Sequence, residues 1–269
     1  MKNKVVLITG SSSGIGKAAV VYFAQKGWQV AATQRNIDNE NPFAAYPHVR
    51  RYTLDVTNAQ SIGDTFKQVA HDFGGIDVVV NNAGYGVDGV FEAMSDEVIE
   101  KQFNTNVFGL MRVTREAIPY LRAGQGGTLV QISSMGGRVT FPLFSIYHGT
   151  KWAVEGFSES LHFELEPFNI QVKLVEPGAI KTDFYGRSRE FIKRDDLPYT
   201  DYVAKISAKN QAAGAAGAAP EKVAEVIYKA ATDQSRKMRY MVGYPAGLLV
   251  PLRWLLPNRW FFRFIKANY

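Results

Sequence analysis

Cysteine is absent from all 269 residues. This removes disulfides, thiolate metal ligands and cysteine nucleophiles together, and it fits a reducing, cytoplasmic setting. Histidine is scarce, at four. His148 and His162 are spaced to share a helix face, but no carboxylate or third ligand stands at metal spacing, so each is expected to be a core or surface histidine and no metal site is expected. Long apolar runs are also missing. The run behind the basic start Met1-Lys2-Asn3-Lys4 is only a strand long, which argues against a signal peptide. The longest apolar region, 246–257, is broken by Pro251 and Arg253 and falls short of the roughly 18 residues of a spanning helix. No linker composition divides the chain. Acid is missing from one end: residues 234–269 carry seven Lys or Arg and no Asp or Glu, whereas 1–233 carry 24 basic against 25 acidic residues, so the formal excess of +6 resides in the tail.

What is present is enough for one large core. With 46% apolar and 13% aromatic residues, an α/β chain of this length reads as a single domain. Apolar, β-branched runs predict strands at 5–8, 29–33, 49–54, 76–81, 128–132, 171–175 and 239–242. Helical patterns alternate with them at 16–26, 59–73, 96–121, 147–166 and 220–232, the last with Pro220 at a first helical position. Such alternation predicts a Rossmann-type, doubly wound parallel sheet of about seven strands with helices on both faces, and ligands beyond the carboxyl ends of the strands. Residues 212–219, rich in Ala with Gly214 and Gly217, read as a mobile segment.

Between the first strand and helix lies Gly10-Ser11-Ser12-Ser13-Gly14-Ile15-Gly16. Glycines let a backbone approach a pyrophosphate, and a helix N-terminus offers unpaired N–H groups to it. The spacing departs from Gly-x-Gly-x-x-Gly, and a ligand-free turn is the alternative. A second pattern is Tyr147-x-x-x-Lys151. A phenol, with a reference pKa of about 10, is a poor acid or base at neutral pH. An ammonium one helical turn away favours the phenolate, and i to i+4 spacing puts both on one face. The pair reads as a proton-transfer couple, with Ser134 shortly before it.

Thr9-Gly10-x-x-x-Gly14-Ile15-Gly16, Asn81-Asn82-Ala83-Gly84, Ser134, Tyr147-x-x-x-Lys151 and Pro177-Gly178-x-Ile180-x-Thr182 occur in the order and spacing of the short-chain dehydrogenase/reductase family, which the chain resembles over roughly residues 4–245. Within it, the Ser-Gly-Ile-Gly turn, Arg35 and the C-terminal extension look most like the hydroxysteroid and retinol dehydrogenase-like branch. The resemblance implies a catalytic set of Ser134, Tyr147, Lys151 and Asn106, with Asn104 as the competing assignment for the last. Ser134 would bind the substrate oxygen, Tyr147 would move its proton, Lys151 would also hold the nicotinamide ribose, and Asn106 would anchor a water linking Lys151 to solvent. The cofactor would lie against Gly10, Ser12, Ser13, Gly14, Ile15 and Gly16, with Asp55 and Val56 at the adenine. Asn82, Ala83 and Gly84 would follow, then Tyr147 and Lys151, and Pro177, Gly178, Ile180 and Thr182 would flank the nicotinamide. Asp55 could instead only cap its turn.

Gln34 is neutral where an acid would bind the ribose hydroxyls, and the Arg35 guanidinium suits a 2′-phosphate, so NADP(H) is expected over NAD(H). The alternative is a solvated Arg35 with Asp38 or Glu40 on the ribose. Together these imply an NADP-binding catalytic domain at 1–245 with an extension at 246–269. The activity implied is hydride transfer between nicotinamide and a carbonyl or secondary alcohol. Val139, Phe141, Phe144, Phe184, Tyr185 and Phe191 suggest that this small-molecule substrate is apolar. The function alternative is a non-catalytic dinucleotide-binding regulatory or scaffold protein. The resemblance implies a homo-oligomer through helices 96–121 and 147–166. The basic aromatic tail reads either as a helix over the pocket or against a partner subunit, the preferred reading, or as an interfacial membrane-binding helix. Nucleic acid is not expected, because the tail holds no recognised binding motif.

Overall fold

In a computed structural model of the protein, residues 3–181, 189–194 and 196–269 are described. The chain begins β1 (Val5–Thr9), α1 (Gly14–Gln25), β2 (Gln29–Gln34), β3 (Val49–Thr53), α2 (Ala59–Phe73), β4 (Val78–Asn81) and β5 (Gly86–Gly89). It continues through α3 (Asp96–Phe103), a π-helical turn over Asn104–Gly109, α4 (Leu110–Ala123), β6 (Gly127–Ile132), α5 (Ser145–Leu165) and β7 (Ile170–Pro177). The remainder is β8 (Arg189–Ile192), α6 (Thr200–Ala215), α7 (Pro220–Thr232), β9 (Arg239–Val242), α8 (Ala246–Leu255) and α9 (Asn258–Asn268).

Seven of the strands form one parallel sheet in the order β3-β2-β1-β4-β6-β7-β9. The inner strands β1 and β4 read as nearly continuous apolar runs because both faces are covered, whereas the edge strands β3 and β9 carry exposed residues. Val6, Ile8, Val30, Val80 and Val130 pack beneath α1 and α7, while Val5, Leu7, Ala31, Val79 and Leu129 pack beneath α2, α4 and α5. The order reverses between β1 and β4, which opens a crevice at the carboxyl ends of those strands.

Three expectations are corrected. The helix expected over 96–121 is interrupted by the π turn, whose wider coil turns Asn106 inward. The segment 212–219 is not a free loop: it completes α6, and Ala218 then donates to the Ala179 carbonyl and accepts from the Lys181 N–H. The tail is two helices rather than one, divided at Pro257. A second, two-stranded parallel ladder, β5 with β8, has no counterpart in the sequence pattern.

Candidate active site

A cleft of about 700 Å³ lies over the carboxyl ends of β1, β4 and β6. Its floor is the turn between β1 and α1. Gly10 has φ +68°, and a Cβ there would stand 2.8 Å from the Ala83 Cα; a Cβ at Gly16 would stand 2.2 Å from the Gly10 carbonyl oxygen. Asn82 fastens this turn to β4 by donating from Nδ2 to the carbonyls of Thr9 at 2.9 Å and Gly10 at 3.0 Å. Thr9 Oγ1 accepts from the backbone N–H groups of Asn82 and Ala83. Asn82 thus acts on the shape of the turn as well as lining the cleft. Ser13, at the N-cap of α1, makes no side-chain capping bond, and the first turn holds no acid. The N-terminal amides therefore stay open to an anion.

Ser12, Ser13, Gly14, Ile15, Gly16, Arg35, Asp55, Val56, Ala83, Gly84, Pro177, Gly178 and Ile180 also line the cleft. Arg35 is exposed at its mouth. Gln34 is buried, and its Nε2 donates to the Asn36 carbonyl. Asp55 Oδ1 accepts from both the N–H and the hydroxyl of Thr57, so the turn-capping role is real and only part of the carboxylate remains for a ligand. Thr182, like the proposed wall residues Phe184 and Tyr185, lies outside the described residues.

Ser134, Tyr147 and Lys151 meet at the other end of the same cleft. Ser134 follows β6, and its Oγ accepts from the Gly136 N–H at 3.0 Å. Tyr147 and Lys151 sit one turn apart on α5, with Lys151 Nζ 5.8 Å from the Tyr147 ring centre. Lys151 is buried and donates to the Ile132 carbonyl at 2.9 Å. Burial brings its pKa down to about 8, against an upward pull from Glu155. Glu155 belongs to a buried cluster in which Arg239 lies 3.1 Å from it and 3.2 Å from Glu176, and Arg138 also lies 3.2 Å from Glu176. Burial raises both carboxyls, Glu176 to about 7 with added repulsion from Glu155. His148 is a core residue, held down to about 4 by burial; its Nδ1 accepts from the Phe141 N–H.

Asn106 does not reach the cleft surface. It is buried, accepts from the Tyr85 N–H at 3.1 Å, and donates to the Tyr85 carbonyl at 2.8 Å and to Thr150 Oγ1 at 3.3 Å. Asn104 does line the cleft, with its Oδ1 accepting from Arg112. Asn106 therefore fixes the wall residue Tyr85 and, through Thr150, the helix turn of Tyr147.

Tyr85, Met135 and Arg189 line the cleft without having been singled out in the sequence. Burial pushes the Tyr85 hydroxyl up to about 12. Arg189 is brought there by the β5–β8 ladder and pairs with buried Asp88. Of the expected apolar wall, Phe141 and Phe144 line the cleft. Val139 instead belongs to a core cluster under the tail, and Phe191 lies on β8, substantially exposed.

The sequence model of the short chain dehydrogenase family matches residues 4–193. The chain belongs to that family. An oxidoreductase of Bacillus subtilis, YusZ, itself uncharacterized, is 37% identical over 96% of this chain and 95% of its own length. The 3-ketodihydrosphingosine reductase of Bacteroides thetaiotaomicron is 33% identical over 90% of this chain and 89% of its own. The solved structure of ElxO with NADP bound is 27% identical, with a TM-score of 0.75 over 89% of this chain and 96% of that one. This short-chain dehydrogenase is accordingly an oxidoreductase whose family and fold imply a nicotinamide dinucleotide. Its residues fit that group: a Cβ would fill the cradle at Gly10 and Gly16, and the uncapped end of α1 suits a pyrophosphate.

Proposed function

We propose that this short-chain dehydrogenase is an NADP-dependent carbonyl reductase, working on an apolar ketone or aldehyde, or in reverse on the matching alcohol, through Ser134, Tyr147, Lys151 and Asn106. One observation carries the reading: Ser134, Tyr147 and Lys151 stand in the same cleft as the glycine cradle, the open end of α1 and Arg35. The nicotinamide, when bound, supplies the hydride chemistry. Ser134 Oγ already accepts from the Gly136 N–H, so its proton is available to a substrate oxygen. Tyr147 gives that oxygen a proton in reduction and takes one in oxidation. Lys151 spends one N–H on the Ile132 carbonyl, and its others remain for ribose hydroxyls and for favouring the phenolate. Asn106 keeps Tyr85 and the Tyr147 turn in position, a role that adds to the water-anchoring one.

Arg35 beside neutral Gln34 supports NADP over NAD, as does the NADP in the ElxO structure. Phe141, Phe144 and Met135 at the cleft support an apolar substrate, and the name of the Bacteroides reductase points to a long-chain ketone. The test is NADPH oxidation with a panel of long-chain and cyclic ketones and aldehydes. Tyr147→Phe should lower turnover at least ~100-fold while NADPH still binds. Near-parental turnover in that variant would remove Tyr147 from its role.

A further inference from the structure

The tail packs one side of each of its helices and leaves the other bare. Leu249 and Val250 of α8 and Phe261 and Ile265 of α9 form one buried cluster with Val139. The outer faces of both helices therefore point away from that cluster. On α8 the outer face is apolar. Leu248, Pro251, Trp254 and Leu255 fall within about 120° around the helix axis, and Trp254 and Leu255 are 70% and 79% exposed.

On α9 the outer face is cationic. Arg259, Arg263 and Lys266 fall within about 60° of one another, opposite Phe261 and Ile265. Exposed Trp260 and Phe264 flank that ridge on one side and Phe262 on the other. An exposed apolar stripe on α8 and a cationic ridge on α9 together call for an occupant with both an apolar interior and dense negative charge. A second copy meeting this face about a two-fold axis would set ridge against ridge, because residues 234–269 contain no Asp or Glu to answer it. A bilayer of anionic phospholipid supplies both features: headgroup charge for Arg and Lys, and an interface that favours Trp and Leu. Among the described residues no helix is long and apolar enough to cross a membrane.

We propose that the outer face of α8 and α9 docks this dehydrogenase on anionic phospholipid bilayers. The inner side of the same two helices abuts the cleft: Met135 and Phe141 pack against the tail cluster and also line the cleft, and Tyr269 lies 5.9 Å from Phe141 ring to ring. Docking thus brings the apolar end of the active site beside the lipid phase, where an apolar ketone would partition; this consequence rests on the substrate reading above.

The test is flotation of the full chain with vesicles of phosphatidylcholine alone or mixed with phosphatidylglycerol. Expected is binding to the mixed vesicles only, reversed by salt. Arg259→Glu, Arg263→Glu and Lys266→Glu combined should lower partitioning at least about a hundredfold, since each lost surface cation weakens it about fivefold. Trp254→Ala with Leu255→Ala should weaken it too. NADPH affinity, measured alongside, should not move in any of these variants, which separates lost docking from lost folding. The proposal is overturned if the parent stays off anionic vesicles, if the charge reversals leave binding intact, or if light scattering finds a dimer that the Trp254 and Leu255 variant splits. Vesicle binding without turnover of any apolar carbonyl would support docking and remove the substrate reading alone.

Discussion

On the proposed reading cofactor choice turns on Arg35, which stands exposed at the cleft mouth while its neighbour Gln34 is buried and tied to the Asn36 carbonyl. A charge-assisted hydrogen bond to a phosphate contributes about 1.5 to 3 kcal/mol, so Arg35→Ala should weaken NADPH by roughly ten- to a hundredfold and leave NADH little changed. Titration of both nucleotides by nicotinamide fluorescence checks this; equal weakening of the two would deny Arg35 a phosphate. His148 gives a pH signature. Its folded pKa of about 4 lies below the ordinary histidine value. Its neutral ring therefore contributes stability that is present above about pH 6.5 and is lost as pH falls toward 4, about 3 kcal/mol in full. Parent stability should fall with acid over that window more steeply than that of His148→Gln, as urea midpoints at matched pH would record. The raised carboxyls Glu155 and Glu176 lean the other way in both proteins and largely cancel in the comparison. A parallel pH profile for the two proteins would contradict the assignment. At this scale the chemistry was legible: Tyr147, Lys151 and Ser134 are reactive types at a fixed spacing. The capping of its own turn by Asp55 was legible too, as the alternative to an adenine contact; the second duty of Asn82 was not, since it grips a turn some 70 positions away.

Among the elements, β1 and α1 were readable from sequence because the apolar strand, the glycines and the helix are contiguous. Gly16→Ala tests why the last glycine is there. Its Cβ would stand 2.2 Å from the Gly10 carbonyl and 2.5 Å from Asn82 Nδ2, so the turn must open. Expected are a loss of about 1 to 3 kcal/mol in stability and weaker binding of both nucleotides, followed by urea melts and fluorescence titration. Unchanged affinity would mean that the turn need not keep this shape. The π turn at Asn104–Gly109 was hidden because one wide coil barely disturbs an amphipathic pattern; only the Asn106 bonds to the Tyr85 backbone betray it. α6 was hidden for a different reason. Its buried residues are only Ile206, Asn210 and Gly214, too weak a stripe to stand out from its alanines.

For the whole molecule, a parallel sheet of seven strands with helices on both faces followed from the alternation of elements, while the order of its strands and the wall of the cleft did not. Strand β5 finds β8 far along the chain: Asp88 and Arg189, which pair within that ladder, are 101 positions apart. No local pattern announces such a partner. Joining two four-residue strands over that span costs loop-closure entropy and returns few hydrogen bonds. The site is thus built around its least self-sufficient piece, and occupancy should report on it. Amide hydrogens at 86–89 and 189–192 should exchange with solvent sooner than those of β1, and saturating NADPH should slow them more than it slows β1. Exchange as slow as that of β1 without nucleotide would show the ladder to be preformed. If it opens ahead of the sheet, the enzyme is a rigid nucleotide platform with a breathing door, and substrate entry is timed by the fraying of four residue pairs rather than by movement of the fold.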